Sequence, residues 1–529
     1  MSSTRSIAAA RPPLLLALPA LAAGGAMLVP LVYLVVRAAE TQATELAFLV
    51  FRPATAQLLA NTLSLVVCVL ALSTAIALPL AVLVTRCRLP FPWLWPVLFT
   101  LPLAVPGYVM AYALIGLSGY YGPLNQVFGM RLPRLEGLSG ATLALSLYVY
   151  PYLFLNLRTV LTTLDPALEE SARSLGHSAV STFLRVVLPQ LKAAFLSGWL
   201  VIALYTLGDY GAIALMRYDV FSSAIYSQYA GAFEVYYAAW LALMLIALAG
   251  LFLAAEARAA RRLHLARTGT GTARVLPRAP LGRMALPAAL FIALVVSASL
   301  GLPVSVILFW LSRAPEAIDW PAVAATALQT VTIAGPVALL AMAAALPVAL
   351  VTTRFPGRAA FLAERMVYLG YAVPALPFAL AMVFFSLAVI PFFYQSMTLL
   401  IATLTLHFLA LALGPVRSRL LQLGPRTEEA ARSLGHGAFA AFRRVTLPQL
   451  MRALVAGGLL VFMVVAKELP ITLLLSPTGT QTLAMTVFAR SSEGALVDAA
   501  PYAGLMILFS SLFVGLVLTR SGRAAGKTS

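Results

Sequence analysis

The sequence predicts an all-α, polytopic membrane protein with about twelve transmembrane helices in two parallel six-helix repeats. Of the 529 residues, 61% are hydrophobic and 10% are charged, whereas a soluble protein usually carries about 25% charged residues. Apolar stretches of about 20 residues, long enough to cross a bilayer, recur along the whole chain. In addition, two distant segments are nearly identical. A soluble multidomain enzyme and a disordered chain are therefore excluded.

Twelve apolar spans are expected from the hydropathy of the chain. The first span follows Arg5 and Arg11. Its apolar run is longer than a signal-peptide core of about 7–15 residues, so we expect a retained anchor. The predicted spans are 14–36, 58–84, 93–117, 141–163, 195–216, 236–255, 285–312, 323–352, 366–389, 397–416, 454–475 and 501–519.

The distribution of Lys and Arg predicts the orientation of these spans. With the N-terminus inside, the inner segments hold 28 of the 36 Lys and Arg residues and the outer loops hold seven. Positive charge collects on the cytoplasmic side of membrane proteins. The bias predicts that both termini are cytoplasmic, and it accounts for the net charge of +18 without a nucleic-acid partner.

The clearest internal signal is a repeat. Segment 169–191 reads EESARSLGHSAVSTFLRVVLPQL and segment 428–450 reads EEAARSLGHGAFAAFRRVTLPQL, so that 16 of 23 positions match at an offset of 259. Further upstream the offset is 268. There Pro79, Thr85-Arg86 and Ala104-Val105-Pro106 match Pro347, Thr353-Arg354 and Ala372-Val373-Pro374.

The repeat predicts two domains of six spans each. We expect the first domain at 1–256, a cytoplasmic linker rich in Arg, Gly, Thr and Pro at 257–283, and the second domain at 284–529. Both copies of the repeated segment fall on the predicted cytoplasmic side. The two halves are therefore a parallel repeat, related by an axis along the membrane normal.

Each repeated segment is predicted to form a short helix, a turn and a second helix at the inner surface. In the first copy, Asp165 is a good N-cap, Pro166 suits the first helical position, and Gly176 ends the helix. A single copy could be a solvated loop whose charges only set the topology. Two near-identical copies in otherwise diverged halves favour a docking surface that is used twice by a two-fold partner.

The repeated segments resemble the EAA motif of importer permeases in the ATP-binding cassette (ABC) superfamily. That motif runs Glu-Ala-Ala, three residues, Gly, nine residues, then Ile-x-Leu-Pro. Ser171 stands for Ala in the first copy, and Val stands for Ile in both. The matching residues are Glu170-Ser171-Ala172, Gly176 and Val186-x-Leu188-Pro189, and then Glu429-Ala430-Ala431, Gly435 and Val445-x-Leu447-Pro448.

This resemblance implies the permease of a type I importer in the bacterial inner membrane, without catalytic residues or a bound cofactor of its own. In that family the short helix inserts into a groove on a nucleotide-binding subunit and transmits its closure. Two such subunits, carrying ATP and Mg, would dock on 165–192 and 424–452, and a periplasmic binding protein would deliver the substrate. The coupling residues implied are Glu169, Glu170, Ala172, Arg173, Gly176, Glu428, Glu429, Ala431, Arg432 and Gly435.

Three charged residues fall well inside the predicted spans: Asp209, Lys467 and Glu468. A charge at the bilayer centre costs at least about 2.5–3.5 kcal/mol, which makes each a candidate functional group. Asp209 and Glu468 are 259 residues apart and are therefore equivalent positions in the two halves. One hypothesis is a polar constriction of the translocation path, including Tyr210, that a hard cation can cross.

A structural role for the same residues is an open alternative. Lys467 could neutralise one of the acids in a buried ion pair. The acids could also accept hydrogen bonds from helix ends where the spans are interrupted, at Gly208 and Pro470.

The sequences around these acids resemble the fused two-domain permeases of ferric-iron importers, which are fed by a periplasmic ferric-binding protein. Fused permeases for thiamine or phosphonates share the architecture and remain alternatives. A further alternative is a secondary transporter driven by an ion gradient, with Asp209 and Glu468 as the relay.

Other chemistry-bearing residues give weak signals. Cys68 and Cys87 lack the spacing of metal ligands, and the four histidines form no local cluster. His407 lies alone in a span and is expected to be packed and hydrogen-bonded. The glycines near Lys527 miss the spacing of a phosphate loop.

Overall fold

The computed structural model describes residues 13–41, 47–48, 50–232, 234–261, 278–313 and 315–525, with side chains described up to residue 512. Within these ranges the regular elements are helices, apart from one isolated bridge between Cys87 and Ala279. The first half contains Leu14–Ala39, Pro53–Arg86, Leu94–Thr100, Gly107–Leu117, Pro123–Phe128, Gly137–Thr163, Pro166–Ser174, Ala179–Thr182, Leu188–Gln190, Lys192–Gly208, Gly211–Leu215, Phe221–Tyr226 and Val235–Arg261.

The second half repeats this pattern. Its α-helices are Ala285–Val296, Leu302–Arg313, Trp320–Arg354, Arg358–Ala372, Ala375–Val389, Met397–Leu423, Arg426–Ser433, Ala438–Ala441, Leu447–Ala466, Pro470–Leu475, Leu483–Ser492 and Leu496–Ala525. Short 3-10 helices lie at Leu101–Ala104, Gly282–Met284, Pro315–Ala317 and Pro391–Phe393, and π-helical turns at Phe183–Val187, Ser227–Gly231, Ser297–Gly301 and Phe442–Thr446.

The predicted all-α, polytopic fold is confirmed. In the described part of the chain, eight helices are long and apolar enough to cross a membrane, and the number is eleven if each of three bent helix pairs is one span. A shorter apolar helix at Leu496–Leu512 lies where the twelfth span begins. The exact number of twelve spans stays a prediction.

Two of the bent pairs break at the repeated Ala-Val-Pro sequence. The helices around Pro106 meet at 89°, and those around Pro374 meet at 109°. The residue before each proline is extended, with ψ of 112° at Val105 and 129° at Val373. Proline disfavours the helical conformation in the residue that precedes it. A local sequence feature therefore bends the same span in both halves.

The chain divides into two compact units. The first unit comprises residues 1–47, 228–243 and 319–485. Within it, the helix Leu14–Ala39 packs on helices of the second half of the sequence. Gly24 lies against Met366, and the rings of Tyr33 and Phe385 meet edge to face at 5.4 Å.

The second unit comprises residues 48–227, 244–318 and 486–529. Within it, helices that begin and end the second half of the sequence pack on helices of the first half. The Trp310 indole donates a hydrogen bond to the carbonyl of Gly116 at 3.2 Å, and the Tyr112 hydroxyl donates one to the carbonyl of Leu496 at 2.9 Å.

The compact units therefore differ from the predicted domains 1–256 and 284–529, because the first helix of each half packs among helices of the other half. The predicted linker at 257–283 is only partly described. Its first five residues continue the helix Val235–Arg261, and 262–277 lie outside the described residues. At its end, the amide of Arg88 donates to the carbonyl of Ala279 at 2.9 Å.

Candidate functional site

The two repeated segments, defined here as 165–192 and 424–452, fold into the predicted helix, turn and second helix. In the first segment, the Asp165 carboxylate accepts the amide of Ala167 at 3.0 Å and caps the helix Pro166–Ser174. The Ser178 hydroxyl accepts the amide of Ser181 at 3.2 Å and caps the next helix. Local capping chemistry thus defines both helices of the first segment.

A glycine ends the first helix of each repeated segment in the left-handed conformation. Gly176 has φ of 85° and Gly435 has φ of 88°. In the first segment, the amide of Gly176 donates to the carbonyl of Arg173 and the amide of His177 donates to that of Ala172. These two bonds form a Schellman motif, which a residue with a Cβ adopts only under strain.

The same two bonds recur in the second segment. The amide of Gly435 donates to the carbonyl of Arg432 at 3.0 Å, and the amide of His436 donates to that of Ala431 at 3.2 Å. The two short helices therefore end in the same way, as their shared sequence dictates.

Each short helix buries one face and exposes the other. Ala172 and Ala431 are buried, whereas Leu175 and Leu434 are 80% and 81% exposed. Each short helix therefore ends beside an exposed apolar side chain. Of the other predicted coupling residues, Glu169 and Glu428 are half-buried, and those that are exposed are Glu170, Arg173, Gly176, Glu429, Arg432 and Gly435.

Two arginines that the sequence analysis did not single out hold the half-buried acids. Arg86 ends the helix Pro53–Arg86 and pairs with Glu169 at 2.5 Å. The equivalent Arg354 ends the helix Trp320–Arg354 and pairs with Glu428 at 3.2 Å. The signal was present in the sequence, because Thr85-Arg86 and Thr353-Arg354 match between the halves. Each repeated segment is thus tied to the end of a long span in its own unit.

Asp209 caps a short helix after a break in a span. Its Oδ1 accepts the amides of Ala212 at 3.0 Å and Ile213 at 3.3 Å, at the start of the helix Gly211–Leu215. The ring of Tyr148 lies close by, because a Cβ on Gly107 would meet this ring as well as the carboxylate. A Cβ on Gly107 would lie 3.0 Å from Oδ2. The acid is thus enclosed by groups from three helices of the second unit.

Glu468 has the equivalent role in the first unit. Its Oε1 accepts the amide of Ile471 at 2.7 Å and its Oε2 accepts that of Thr472 at 3.1 Å, at the start of the helix Pro470–Leu475. Lys467 is the C-cap residue that follows the preceding helix, Leu447–Ala466. Hydrogen bonds from helix ends were the structural alternative for both acids, and the geometry agrees with that alternative.

After each helix that Asp209 or Glu468 caps, the chain is hydrogen-bonded to a long membrane-spanning helix of the same unit, and the two bonds are equivalent in the two halves. The amide of Phe221 donates to the Thr62 hydroxyl at 3.1 Å, and the amide of Leu483 donates to that of Thr330 at 2.9 Å. Tyr210 is buried, with its ring 4.8 Å from that of Tyr226. Contacts within each unit therefore stabilise the interruptions of the spans at Asp209 and Glu468.

The described ranges contain no cluster of three His, Cys, Asp or Glu side chains that could hold a metal ion. His407 is buried, with its ring 5.0 Å from that of Phe378 and 4.8 Å from that of Phe408. The expected hydrogen bond is missing at one ring nitrogen, because Nδ1 has no partner among the described residues. Aromatic rings pack against the buried imidazole.

Comparison with known proteins identifies the family. Residues 338–526 match the family model of the binding-protein-dependent transport system inner membrane component. The chain is 32% identical over 512 residues to the Fe(3+)-transport system permease protein FbpB 2 of Haemophilus influenzae, covering 96% of this chain and 98% of that protein.

Shorter matches lie in related permeases. The ferric transport system permease protein FbpB of Actinobacillus pleuropneumoniae is 26% identical over 30% of this chain and 24% of its own length. The sulfate transport system permease protein CysT of Salmonella typhimurium is 29% identical over 27% of this chain and 51% of its own length. The chain therefore belongs to the inner-membrane permeases of binding-protein-dependent transport systems, multi-pass transport proteins that work with an ABC ATPase and a periplasmic binding protein.

Proposed function

We propose that the chain is the permease of an importer for ferric iron. The choice of ferric iron as the substrate rests on the similarity, along nearly the whole chain, to a permease named for Fe(3+) transport. The sulfate permeases match only about a quarter of the chain. Ferric iron is a hard cation, and oxygen ligands such as carboxylates suit hard cations.

Two copies of the ATPase dock on the two repeated segments in this proposal. The segments share their backbone geometry and each presents an exposed leucine, Leu175 or Leu434. Exposed apolar side chains on a polar loop are suited to a protein partner. A two-fold pair of identical subunits is the partner that fits two copies of one surface.

Closure of the ATPase pair reaches the membrane through the half-buried ion pairs. Arg86 and Arg354 connect Glu169 and Glu428 to the ends of long spans. A displacement of either short helix is thereby applied to the span that carries the arginine. Coupling then requires that the closed ATPase favour one conformation of the permease over the other.

The proposed path passes the equivalent acids and their neighbours Tyr210 and Lys467. Each acid already accepts two backbone amides, which fixes its position after a break in the span. A fixed carboxylate offers a passing cation an oxygen without forming a closed binding site. Both termini and both repeated segments face the cytoplasm in this proposal, in keeping with the Lys and Arg distribution.

The test is uptake by proteoliposomes that carry the chain with its ATPase and binding protein. We expect ATP-dependent accumulation of labelled ferric iron, with little uptake of labelled thiamine, phosphonate or sulfate. ATP-dependent uptake of another of these substrates instead would replace the proposed substrate. Uptake driven by an ion gradient without the ATPase would favour the secondary transporter.

A further inference from the structure

A cleft of about 560 Å³ lies in the second unit, at the end of the first repeated segment, whose last residue, Lys192, lines it. Its walls come from the first turns of the helix Lys192–Gly208 and the last turns of the helix Val235–Arg261. Phe195, Trp199 and Ala255 make the walls apolar, and Lys192 and Arg258 are the charged residues that line it. The volume is in the range of small-molecule binding sites.

The apolar wall is held in a fixed arrangement. The Trp199 indole donates a hydrogen bond to the Thr74 hydroxyl at 2.9 Å, and its ring lies 5.2 Å from that of Phe195. Trp199 is seven positions after Lys192, which is about 10 Å along a helix. The cleft is therefore cationic at one end and aromatic about 10 Å further along.

The two cations are available to a ligand. In the part of the chain that the structure describes, neither Lys192 nor Arg258 forms an ion pair. Two like charges that line one apolar cleft repel each other, and an anion between them removes that repulsion. Charge complementarity thus selects an anionic group for this end.

The apolar surroundings of the cleft favour a lipid as the source of this anionic group. Leu251, one turn before Ala255 on the same helix, is 64% exposed, as expected of a helix surface that faces acyl chains. The sequence from Arg261 to Arg283 carries no acidic residue, so this chain's own linker does not match the charge. We propose that the cleft binds an anionic phospholipid, with its phosphate between Lys192 and Arg258 and an acyl chain along Phe195 and Trp199.

The second half of the chain lacks the corresponding groups. At the repeat offset of 259, Met451 takes the place of Lys192 and Gly458 takes that of Trp199. The Met342 side chain fills the space beside Gly458 that a Cβ would need. The lipid site is therefore a property of one half. The inference depends on the proposed orientation only for the leaflet, which would be the cytoplasmic one.

Native mass spectrometry of the full-length chain, titrated with phosphatidylglycerol or with zwitterionic phosphatidylcholine, tests this site. We expect Lys192→Gln with Arg258→Gln to weaken phosphatidylglycerol binding at least fivefold and to leave phosphatidylcholine binding unchanged. Ala255→Trp keeps both cations but fills the wall, and it is expected to weaken phosphatidylglycerol binding as well. A thermal unfolding scan of each variant checks that it is folded.

The matched control is Arg443→Gln with Arg452→Gln, which removes two exposed cations from the second half and should leave phosphatidylglycerol binding unchanged. An equal loss in this control would show unspecific surface charge and overturn the site. Unchanged binding in Ala255→Trp would also overturn it, as would full competition by millimolar glycerol phosphate, which would point to a soluble anion. The measurement needs no ATPase, binding protein or iron, so its failure is distinguishable from failure of the proposed transport function.

Discussion

The first and second repeated segments adopt the same backbone conformation, with left-handed glycines at φ of 85° and 88°, yet their exposed side chains differ. Leu184 in the first copy is replaced by Arg443 in the second, and Val180 is replaced by Phe439. All four side chains are exposed. The duplicated feature is thus the backbone and the buried alanine, whereas the surrounding surface is specific to each copy.

The contacts of the half-buried acids differ too. Glu169 pairs with Arg86, whereas Glu428 pairs with Arg354 and also accepts the Thr446 hydroxyl at 2.7 Å. The residue equivalent to Thr446 in the first copy is the buried Val187. Arg354 also donates a hydrogen bond to the carbonyl of Gly424 at 2.7 Å. The second segment is therefore held by two more hydrogen bonds than the first, and the two docking sites are expected to differ in strength.

The largest effect is expected from Gly176→Trp combined with Gly435→Trp, which removes what the two segments share. The left-handed conformation costs an L-residue about 1–2 kcal/mol, and a bulky ring would stand where the ATPase docks. We expect ATP-dependent uptake to fall to background and the ATPase to be lost from the purified complex.

The control for this variant is Gly119→Trp with Gly479→Trp. Both glycines are left-handed, at φ of 88° and 86°, and an added Cβ would meet no atom within 4 Å at either, so the backbone strain is matched. This control should keep the ATPase bound. Retention of the ATPase by the first variant would refute docking on the repeated segments.

The two helix-capping acids, Asp209 and Glu468, also differ in how they bind the backbone. Asp209 accepts both amides on one oxygen, whereas Glu468 uses one oxygen for each. Glu468→Gln therefore places an amide group against a backbone N–H, while Asp209→Asn can keep both bonds. If capping is the main role, Glu468→Gln lowers the free energy of unfolding by about 1–3 kcal/mol and Asp209→Asn changes it little.

Thermal unfolding and uptake of the two amide variants separate the roles of the acids. Similar losses of iron uptake in both variants, with unchanged stability, would instead assign the acids to the path through their charge. Wild-type uptake in the double variant would leave them as structural groups.

Arg86→Gln should free the acid of the first segment more than Arg354→Gln frees that of the second, because Glu428 keeps its hydrogen bond from the Thr446 hydroxyl. A half-buried ion pair contributes about 1 kcal/mol, so we expect roughly a fivefold loss of ATPase affinity for Arg86→Gln and a smaller loss for Arg354→Gln. Titration of the permease with the ATPase measures both. Arg88→Gln, beside Arg86 but bonded to the Arg278 carbonyl, is the control, and equal losses in all three variants would contradict the role of the ion pairs.

The smallest effect is expected from exchanging the residue beside the acid. Thr446→Val should make the second segment as sensitive to loss of Arg354 as the first is to loss of Arg86. Val187→Thr should make the first segment less sensitive, by roughly twofold to fivefold in ATPase affinity, since one hydrogen bond is worth about 1 kcal/mol. Unchanged sensitivity in both variants would show that Thr446 does not distinguish the segments.

Much of the candidate site follows from local sequence. Asp165, Pro166 and Gly176 predict the ends of the first short helix, and the structure confirms them through caps that involve residues only a few positions apart. The pairing of Arg86 with Glu169 joins residues 83 positions apart, so the local sequence around either residue does not predict it. The match of Thr85-Arg86 with Thr353-Arg354 could have drawn attention to the arginines, but it does not specify their partners.

By itself, the sequence determined the membrane class, the duplication and the form of the repeated segments. Hydropathy and helix capping act over a few residues, which is why these features could be predicted. The bends before Pro106 and Pro374 were not predicted, although they too follow from a local feature, the proline. Only the tertiary structure decided that the helix Leu14–Ala39 packs in the unit built mainly from the second half, and that Trp310 packs against Gly116. Lipid-facing and protein-facing helix surfaces are both apolar, so hydropathy cannot select the neighbours of a span; the close fit of small residues and aromatic rings does.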